Sequence, residues 1–418
     1  MTTRRFQITR THVFAAFFIL VGIWIFLRVP DSFDSETVSQ MRFGSGRDAP
    51  FWDVPTALFL YITGILYFAG GLVALINRWE RVSFFVLLVN GILIFPAILI
   101  AAAAGKQTNM ITMLAESLRL ATPIVIGAIA GIWSERSGVI NIAIEGMMLT
   151  GAGFGFVAFF FLEPAMPDNT HMALFLSVMV AVFSGGLMAL LHAWLSITFK
   201  TDQIVSGTVI NIMAIGLTSF VRREVLLSTR AGRVTLPDIT IPGLADIPLI
   251  GDVLFNNKPI FYMMFILLIA THVILFYTAF GLRMRAVGEH PQAADTAGIN
   301  VFFTRYRNVI ISGMIAGLGG AWFSLETVGG FDDLMTGGRG FIALAAVIFG
   351  KWTPFGAFGG GLLFGFADAL GTRFQILNVP VPPQWLQMLP FIVTMIVLAG
   401  LIGRAIPPAA VGQPYEKQ

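Results

Sequence analysis

Gly281-Leu-Arg-Met-Arg-Ala-Val-Gly-Glu-His-Pro-Gln-Ala-Ala-Asp-Thr-Ala-Gly-Ile-Asn300 is a polar island between two apolar, membrane-length stretches. Tyr262–Phe280 leads into it, and Val309–Phe323 follows the basic pair Arg305 and Arg307. Pro291 suits a first helical position, helix-forming Ala and Gln follow it, and Gly298 suits a C-terminal cap. The stretch therefore predicts one or two turns of helix held at a membrane surface, flanked by Arg283, Arg285, Arg305 and Arg307. Such an element suits docking of a soluble partner. In a polytopic chain with no nucleotide motif of its own, that partner is expected to be a motor.

Composition sets the class around this island. Of 418 residues, 56% are hydrophobic and 12% charged, against roughly 25% charged in a soluble domain. Mean hydropathy is +0.81, so lipid is the main solvent expected for this surface. The pI near 9.3 comes from a net charge of only +3. Arginines at the ends of membrane helices explain that balance, and nucleic acid is not an expected partner. With no Cys, disulfides and thiolate metal sites are excluded, and no other metal-ligand spacing stands out.

Apolar stretches able to cross a bilayer, which takes about 20 residues, run over His12–Val29, Val54–Ile76, Val82–Ala104, Met110–Trp133, Val139–Phe161, Met172–Phe199, Ile204–Val221, Pro259–Phe280, Val309–Phe323, Phe341–Phe349, Phe355–Ala369 and Trp385–Ile402. The fold class expected is all-α, a polytopic membrane protein of about 10–12 spans, some short or broken. Phe341–Phe349 and Phe355–Ala369, joined by Gly350-Lys-Trp-Thr-Pro-Phe-Gly356, read either as half-spans facing a cavity or as two full helices. The first stretch has a basic start and no small-residue cleavage signature before Asp31, so it reads as a retained anchor.

Lys and Arg concentrate on one set of loops and acidic residues on the other. The positive-inside rule then places both chain ends and Gly281–Arg307 in the cytoplasm. Organisation is expected to divide near Gly105: residues 1–105 as an extension with about three spans, 106–405 as the core, and 406–418 as a cytoplasmic tail. Glu135–Gly155 and Gly337–Gly361 are Gly-rich, broken segments in comparable positions of the two halves, a weak sign of duplicated topology.

Four blocks in order resemble the ABC-transporter permeases of the ribose and branched-chain amino acid superfamily. The first is Glu135-Arg-Ser-Gly-Val-Ile-Asn-Ile-Ala-Ile-Glu-Gly-Met-Met-Leu-Thr-Gly-Ala152. The others are Thr208-Val-Ile-Asn211 with Ala214-Ile-Gly-Leu-Thr218, Gly281–Ile299, and Gly338-Arg-Gly-Phe-Ile-Ala-Leu-Ala-Ala-Val-Ile-Phe-Gly350 leading to Phe364-Gly-Phe-Ala-Asp-Ala-Leu370. Their wording is similar to the simple-sugar and nucleoside uptake permeases, and Ile241–Gly251 looks like the same subgroup. Residues 1–105 exceed the usual length of such a permease.

The resemblance implies a bacterial cytoplasmic-membrane subunit that moves a nucleoside or simple sugar delivered by a binding lipoprotein. It implies a separate ABC ATPase that binds ATP and Mg, a second permease subunit, most naturally as a heterodimer, and no cofactor in this chain. It also makes Gly281–Ile299 the coupling helix region. Glu289, Pro291, Ala293, Ala294, Asp295 and Gly298 would then seat in the ATPase, with Arg283 and Arg285 positioning the chain before them.

The residues bear independent readings. Glu145 is an acid where an ionised carboxylate costs about 2.5–3.5 kcal/mol on insertion scales. With Ser137, Gly138 and Asn141 near it in sequence, Glu145 and Asn141 read either as part of the path or gate, or as a hydrogen-bond bracket for a broken helix. Asn211 is a substrate contact or interhelical glue. Trp322 and Phe323 can stack on a base or sugar ring. Asp368 reads as an interfacial cap, His192 and His272 as interhelical hydrogen-bonders, and Gly313, Gly317, Gly356 and Gly360 as close-packing positions.

No Gly-x-x-x-x-Gly-Lys-Ser/Thr occurs, Ala104-Gly-Lys-Gln lacking both the first Gly and the hydroxyl residue. The chain is therefore not expected to be an enzyme. The alternative reading is an ion-coupled secondary transporter of a small polar solute, with Glu145 or Asp368 as the coupling carboxylate. A membrane-embedded enzyme is disfavoured by the absence of a catalytic cluster.

Overall fold

The computed structural model describes residues 10–44, 51–76, 80–226, 234–379, 381–388 and 405–417. Among them nine helices are long and apolar enough to cross a membrane. The elements run α1 (Arg10–Ser32), β1 (Val38–Arg42), β2 (Phe51–Pro55), α2 (Thr56–Ile76), α3 (Glu80–Ala102), β3 (Gln107–Asn109), α4 (Met110–Glu135), α5 (Ile144–Ala165), α6 (Thr170–Ala193), α7 (Gln203–Val221), β4 (Ile239–Thr240), α8 (Ile250–Leu254), β5 (Asn256–Asn257), α9 (Pro259–Tyr277), α10 (Ala279–Glu289), α11 (Pro291–Thr296), α12 (Val301–Ala321), α13 (Arg339–Phe349), α14 (Pro354–Ile376) and α15 (Pro383–Gln387). Helices α6, α7 and α12 each continue into a π-helical turn, over Trp194–Thr198, Arg222–Leu226 and Trp322–Val328. The expected Trp385–Ile402 span lies from residue 389 outside the described residues, as do Arg4 and Arg5 of the basic start before the first stretch.

Short polar residues start the helices, because four N–H groups at each start have no partner within the helix. Asn109 accepts from Ile111 N and Thr112 N at α4, Asn169 from Met172 N at α6, Asp202 from Ile204 N and Val205 N at α7, and Asn300 from Phe303 N at α12.

The chain divides into two compact units. The first comprises Met1–Leu114 and Leu370–Met388. Phe18, Ile25, Val29, Leu60, Tyr67 and Ala97 form a core shared by α1, α2 and α3. The stretch between α1 and α2 contributes strands: β1 pairs antiparallel with β2 and parallel with β3. Alternating burial along β1 explains this, with Ser39 turned inward to Thr56 Oγ1 (2.7 Å) and the Ile100 carbonyl (2.8 Å). Arg373 Nη2 donates to the Asn109 carbonyl at 2.8 Å, bringing the end of α14 into this unit.

The second unit, Ala115–Ala369 with Leu389–Gln418, holds the large apolar core. Helices α5, α6 and α12 meet through glycine. A Cβ on Gly151 would lie 2.5 Å from the Gly317 carbonyl oxygen, and one on Gly313 would collide with Gly185. Backbones approach this closely only where no side chain intervenes.

Three sequence expectations need correction. The span expected from Val139 starts at Ile144, because residues 136–143 are a non-helical break. The basic pair Arg305 and Arg307 lies inside α12 rather than before it, since Asn300 caps a helix that starts at Val301, eight residues before the apolar run begins. Phe341–Phe349 is a half-length helix, as the broken-span reading has it, but its partner is the 23-residue α14.

Candidate functional site

The break at residues 136–143 leaves backbone polar groups inside a bundle, where each needs a partner. Side chains from three helices supply them. Gln203 Oε1 accepts from Ile140 N at 2.7 Å, and His192 Nε2 meets the Ile140 carbonyl at 2.9 Å while its Nδ1 meets Ser206 Oγ at 3.1 Å. Asn211 Nδ2 donates to the Ile142 carbonyl (2.9 Å) and its Oδ1 accepts from Gly146 N (2.8 Å). Fully buried Asn141 donates through Nδ2 to Ser312 Oγ at 2.9 Å, and Ser312 donates to the Ala130 carbonyl at 2.6 Å.

Glu145 faces a second break. Its Oε1 accepts from Thr336 Oγ1 (2.6 Å) and Gly338 N (2.8 Å), and its Oε2 from Gly340 N (2.6 Å). The carboxylate thus caps the start of α13, where the helix dipole and free N–H groups favour negative charge. Gly340 has no room for a Cβ, which would lie 2.5 Å from Glu145 Cα. Arg339, next in the chain after Gly338, pairs with Asp368 at 3.3 Å and lies 5.7 Å from the Phe323 ring centroid. Trp322 and Phe323 are buried and meet edge-to-face at 5.0 Å.

Glu326, not singled out in the sequence, repeats the device. Its Oε2 accepts from Ile260 N at 2.6 Å at the start of α9, and Lys258 Nζ donates to its carbonyl at 2.6 Å. The only sequence signal is an acid three residues beyond Phe323 at the end of an apolar span.

At the polar island, α11 forms the short helix predicted, with Pro291 in its first turn and Gly298 at φ +81° just beyond its end, and the 11-residue α10 precedes it. Arg285 lies over the Phe276 ring and Arg283 is exposed. Glu289 is exposed and faces Arg136 at 3.8 Å; burial pulls the Arg136 guanidinium below its usual pKa and Glu289 opposes that. Ala293 is exposed and Asp295 half-buried. Ala294 departs from a docking role. It is 3% exposed and packs with Val287, Val301 and Tyr415, so the outward face of α11 is carried by Gln292, Ala293 and Thr296.

The loop between α13 and α14 closes onto the same end. Lys351 and Trp352 both hold positive φ, a strained state for residues with side chains. Trp352 Nε1 donates to the Glu135 carboxylate, and Arg136 Nε donates to the Trp352 carbonyl at 2.9 Å. No group of three or more His, Asp or Glu able to hold a metal occurs among the described residues.

Asn211→Leu removes two hydrogen bonds and leaves two backbone groups short of a partner. At about 1–3 kcal/mol for each buried group left unsatisfied, the variant is expected to melt clearly below the parent in detergent. An unchanged melting temperature would show that the bracket is dispensable.

The family model described as branched-chain amino acid transport system / permease component matches residues 113–398. Over 309 residues the chain is 42% identical to the guanosine ABC transporter permease protein NupQ of Bacillus subtilis (strain 168), covering 72% of this chain and 95% of that protein. It is 39% identical over 313 residues to the nucleoside ABC transporter permease protein NupC of Lactococcus lactis subsp. cremoris (strain MG1363), covering 73% and 96%. It is 35% identical over 276 residues to the putative glucose ABC transporter permease protein TsgC13 of Haloferax volcanii, covering 65% and 80%. No solved structure matches the chain.

Proposed function

The chain belongs to the family of branched-chain amino acid transport system permease components, and from that premise we propose that the cargo of this ABC importer subunit is a nucleoside. The names of the two relatives at 42% and 39% identity support a nucleoside over a simple sugar. As a transport subunit, the chain works with an ATPase and a substrate-binding protein. Beyond that coarse assignment, we place it in a bacterial cytoplasmic membrane, paired with a second permease subunit and fed by a lipoprotein receptor, with ATP and Mg bound on the ATPase.

One observation carries the coupling role. Helix α11 is anchored on its inner side by Ala294 and leaves Gln292, Ala293 and Thr296 facing outward, beside the exposed Glu289. A short, rigidly seated helix with a small-residue outer face fits a cleft in a soluble motor. The charge bias of the loops supports placing it in the cytoplasm. The motor biases a two-state path, and the permease bundle supplies the two arrangements. We place the path along the bundle that includes Asn141, Glu145, Asn211, Trp322 and Phe323. In the first unit, residues 1–105 serve insertion, orientation and lateral packing rather than the path.

The ion-coupled alternative gains no support from Glu145, whose carboxylate is taken up by Gly338 N and Gly340 N at the start of α13, or from Asp368, which pairs with Arg339. Uptake of radiolabelled guanosine by the complex in proteoliposomes tests the cargo and the energy source together. Uptake is expected to require internal ATP, to resist an uncoupler, and to be competed by unlabelled nucleosides but not by glucose. Competition by glucose alone would overturn the nucleoside reading.

Ala293→Arg is expected to lose the ATPase on affinity purification, because a long cation on the outer face of α11 blocks its seat. Retention of the ATPase with normal uptake would overturn the docking assignment.

A further inference from the structure

We propose that residues 405–417 are a strap that positions α10 and α11 against the 136–143 break and carries movement of the docking helices to it. The proposal rests on the reading of α11 as the ATPase-docking helix.

The strap crosses both partners in turn. Ala409 N donates to Glu289 Oε2 at 3.1 Å and Ala410 N to the Gly288 carbonyl at 2.9 Å, both on α10. Two residues later Gly412 N donates to the Gly138 carbonyl at 3.2 Å, on the break. These are the points where side chains are excluded. A Cβ on Gly288 would strike the Arg136 carbonyl, and one on Gly138 would lie 2.8 Å from Arg305 Nη2.

The far end is fixed from below and from the side. Arg305 is 2% exposed, and among the described residues it has no carboxylate within ion-pair distance; its Nη1 donates instead to the Gln413 carbonyl at 2.9 Å. A buried guanidinium needs such acceptors, and the strap supplies one of them to α12. Tyr415 is 6% exposed among Val287, Ala294 and Val301, and its ring meets Phe302 at 5.5 Å. Glu416 pairs with Lys200 at 2.6 Å, just beyond the π-turn that ends α6.

The consequence is mechanical. The inner face of α11 rests on Tyr415, and the same segment is hydrogen-bonded to the loop that leads through Asn141 and Glu145 into the bundle. A force that tilts α11 therefore acts on the strap, and the strap acts on residue 138. Tyr415 is a positioning residue. Its partner on the other side of the contact, Ala294, has no side chain long enough to reach the break itself.

The test uses the full complex of permease, ATPase and substrate-loaded binding protein in proteoliposomes. Tyr415→Ala is expected to keep the ATPase bound and hydrolysing at its basal rate. Stimulation of hydrolysis by the loaded binding protein should fall roughly fivefold or more, with uptake falling alongside. Tyr415→Phe, which keeps the ring in the pocket, should restore most of the stimulation; a purely structural effect on protein level would not separate basal from stimulated hydrolysis. Undiminished stimulation and uptake in Tyr415→Ala would overturn the proposal. Should Tyr415→Ala fail to accumulate, Gln413→Cys places one thiol on the exposed side of the strap in a chain that has none. Its maleimide labelling rate should then differ by roughly threefold or more between nucleotide-free and ATP-trapped complexes, and equal rates would overturn the strap as a moving link. The Ala293→Arg variant separates the two readings: if it retains the ATPase, the docking assignment fails irrespective of what the strap variants do.

Discussion

Glu145→Ala is expected to abolish uptake and to lower the amount of folded protein, whereas Asp368→Asn should leave most of both. The alanine removes the common acceptor of Thr336 Oγ1, Gly338 N and Gly340 N at the start of α13. Hydrogen bonds to a charged acceptor contribute about 1.5–3 kcal/mol each when intact. Glu145 is only partly buried, so water offsets some of that, and a loss on the order of 3 kcal/mol is expected. Asp368 pairs with Arg339 at 3.3 Å, both groups about a quarter exposed, and such a pair contributes roughly 1 kcal/mol or less. Glu145→Gln keeps one acceptor but points N–H groups at N–H groups, so it should fall between. Thermal unfolding in detergent and uptake at matched protein level are the measurements. A Glu145→Ala variant that melts and transports like the parent would remove any role for this carboxylate.

Gly317→Leu should be the most damaging single change in the bundle. At this position α12 lies against both α5 and α6: a Cβ on Gly317 would collide with the Ala181 carbonyl, and Gly317 itself fills the space beside Gly151 and Gly185. Backbone cannot yield as a side chain does, so the usual overpacking cost of about 1–3 kcal/mol is a lower bound. The variant is expected to aggregate or to be degraded, with no folded peak on size exclusion. Gly216→Ala is the matched control. Nothing lies within 4 Å of a Cβ there, and alanine in a helix interior is favoured by about 1 kcal/mol, so that variant should accumulate normally. A folded, active Gly317→Leu would mean that the three-helix contact is looser than its geometry indicates.

Both predictions depend on partners far apart in the chain, and this marks the limit of what the sequence discloses. Glu145 stands out as an acid in an apolar span, because burying a charge has a cost that any hydropathy reading detects. Its partners at residues 336–340 do not, since nothing in the local pattern says which helix start will face it. Asn211 and His192 are visible as polar residues in spans, but that both serve one break at residues 136–143 follows only from how α6 and α7 lie beside it. Glu326 gives no such signal, because it sits at a span's end, where an acid is ordinary.

The island of Gly281–Asn300 shows the same division within one element. Pro291, the Ala-rich turn and Gly298 specify a short capped helix through local backbone preferences, and the helix is there. Which side of it faces outward is a tertiary matter. Ala293 and Ala294 are indistinguishable by residue type, yet Tyr415, 121 positions from Ala294, covers one and leaves the other exposed.

By itself, then, the sequence determined the class, the rough limits of most spans, the family blocks and the short capped helix of the polar island. These rest on composition, periodicity and capping, which act over a few residues or a single helix. Tertiary structure alone decided the strands of the first unit, the carbonyl that residue 413 offers to buried Arg305, the pairing of Glu145 and Glu326 with distant helix starts, and the strap. Each of these depends on satisfying a backbone or charged group that would otherwise be buried without a partner, and the groups that do so come from wherever the fold has brought them.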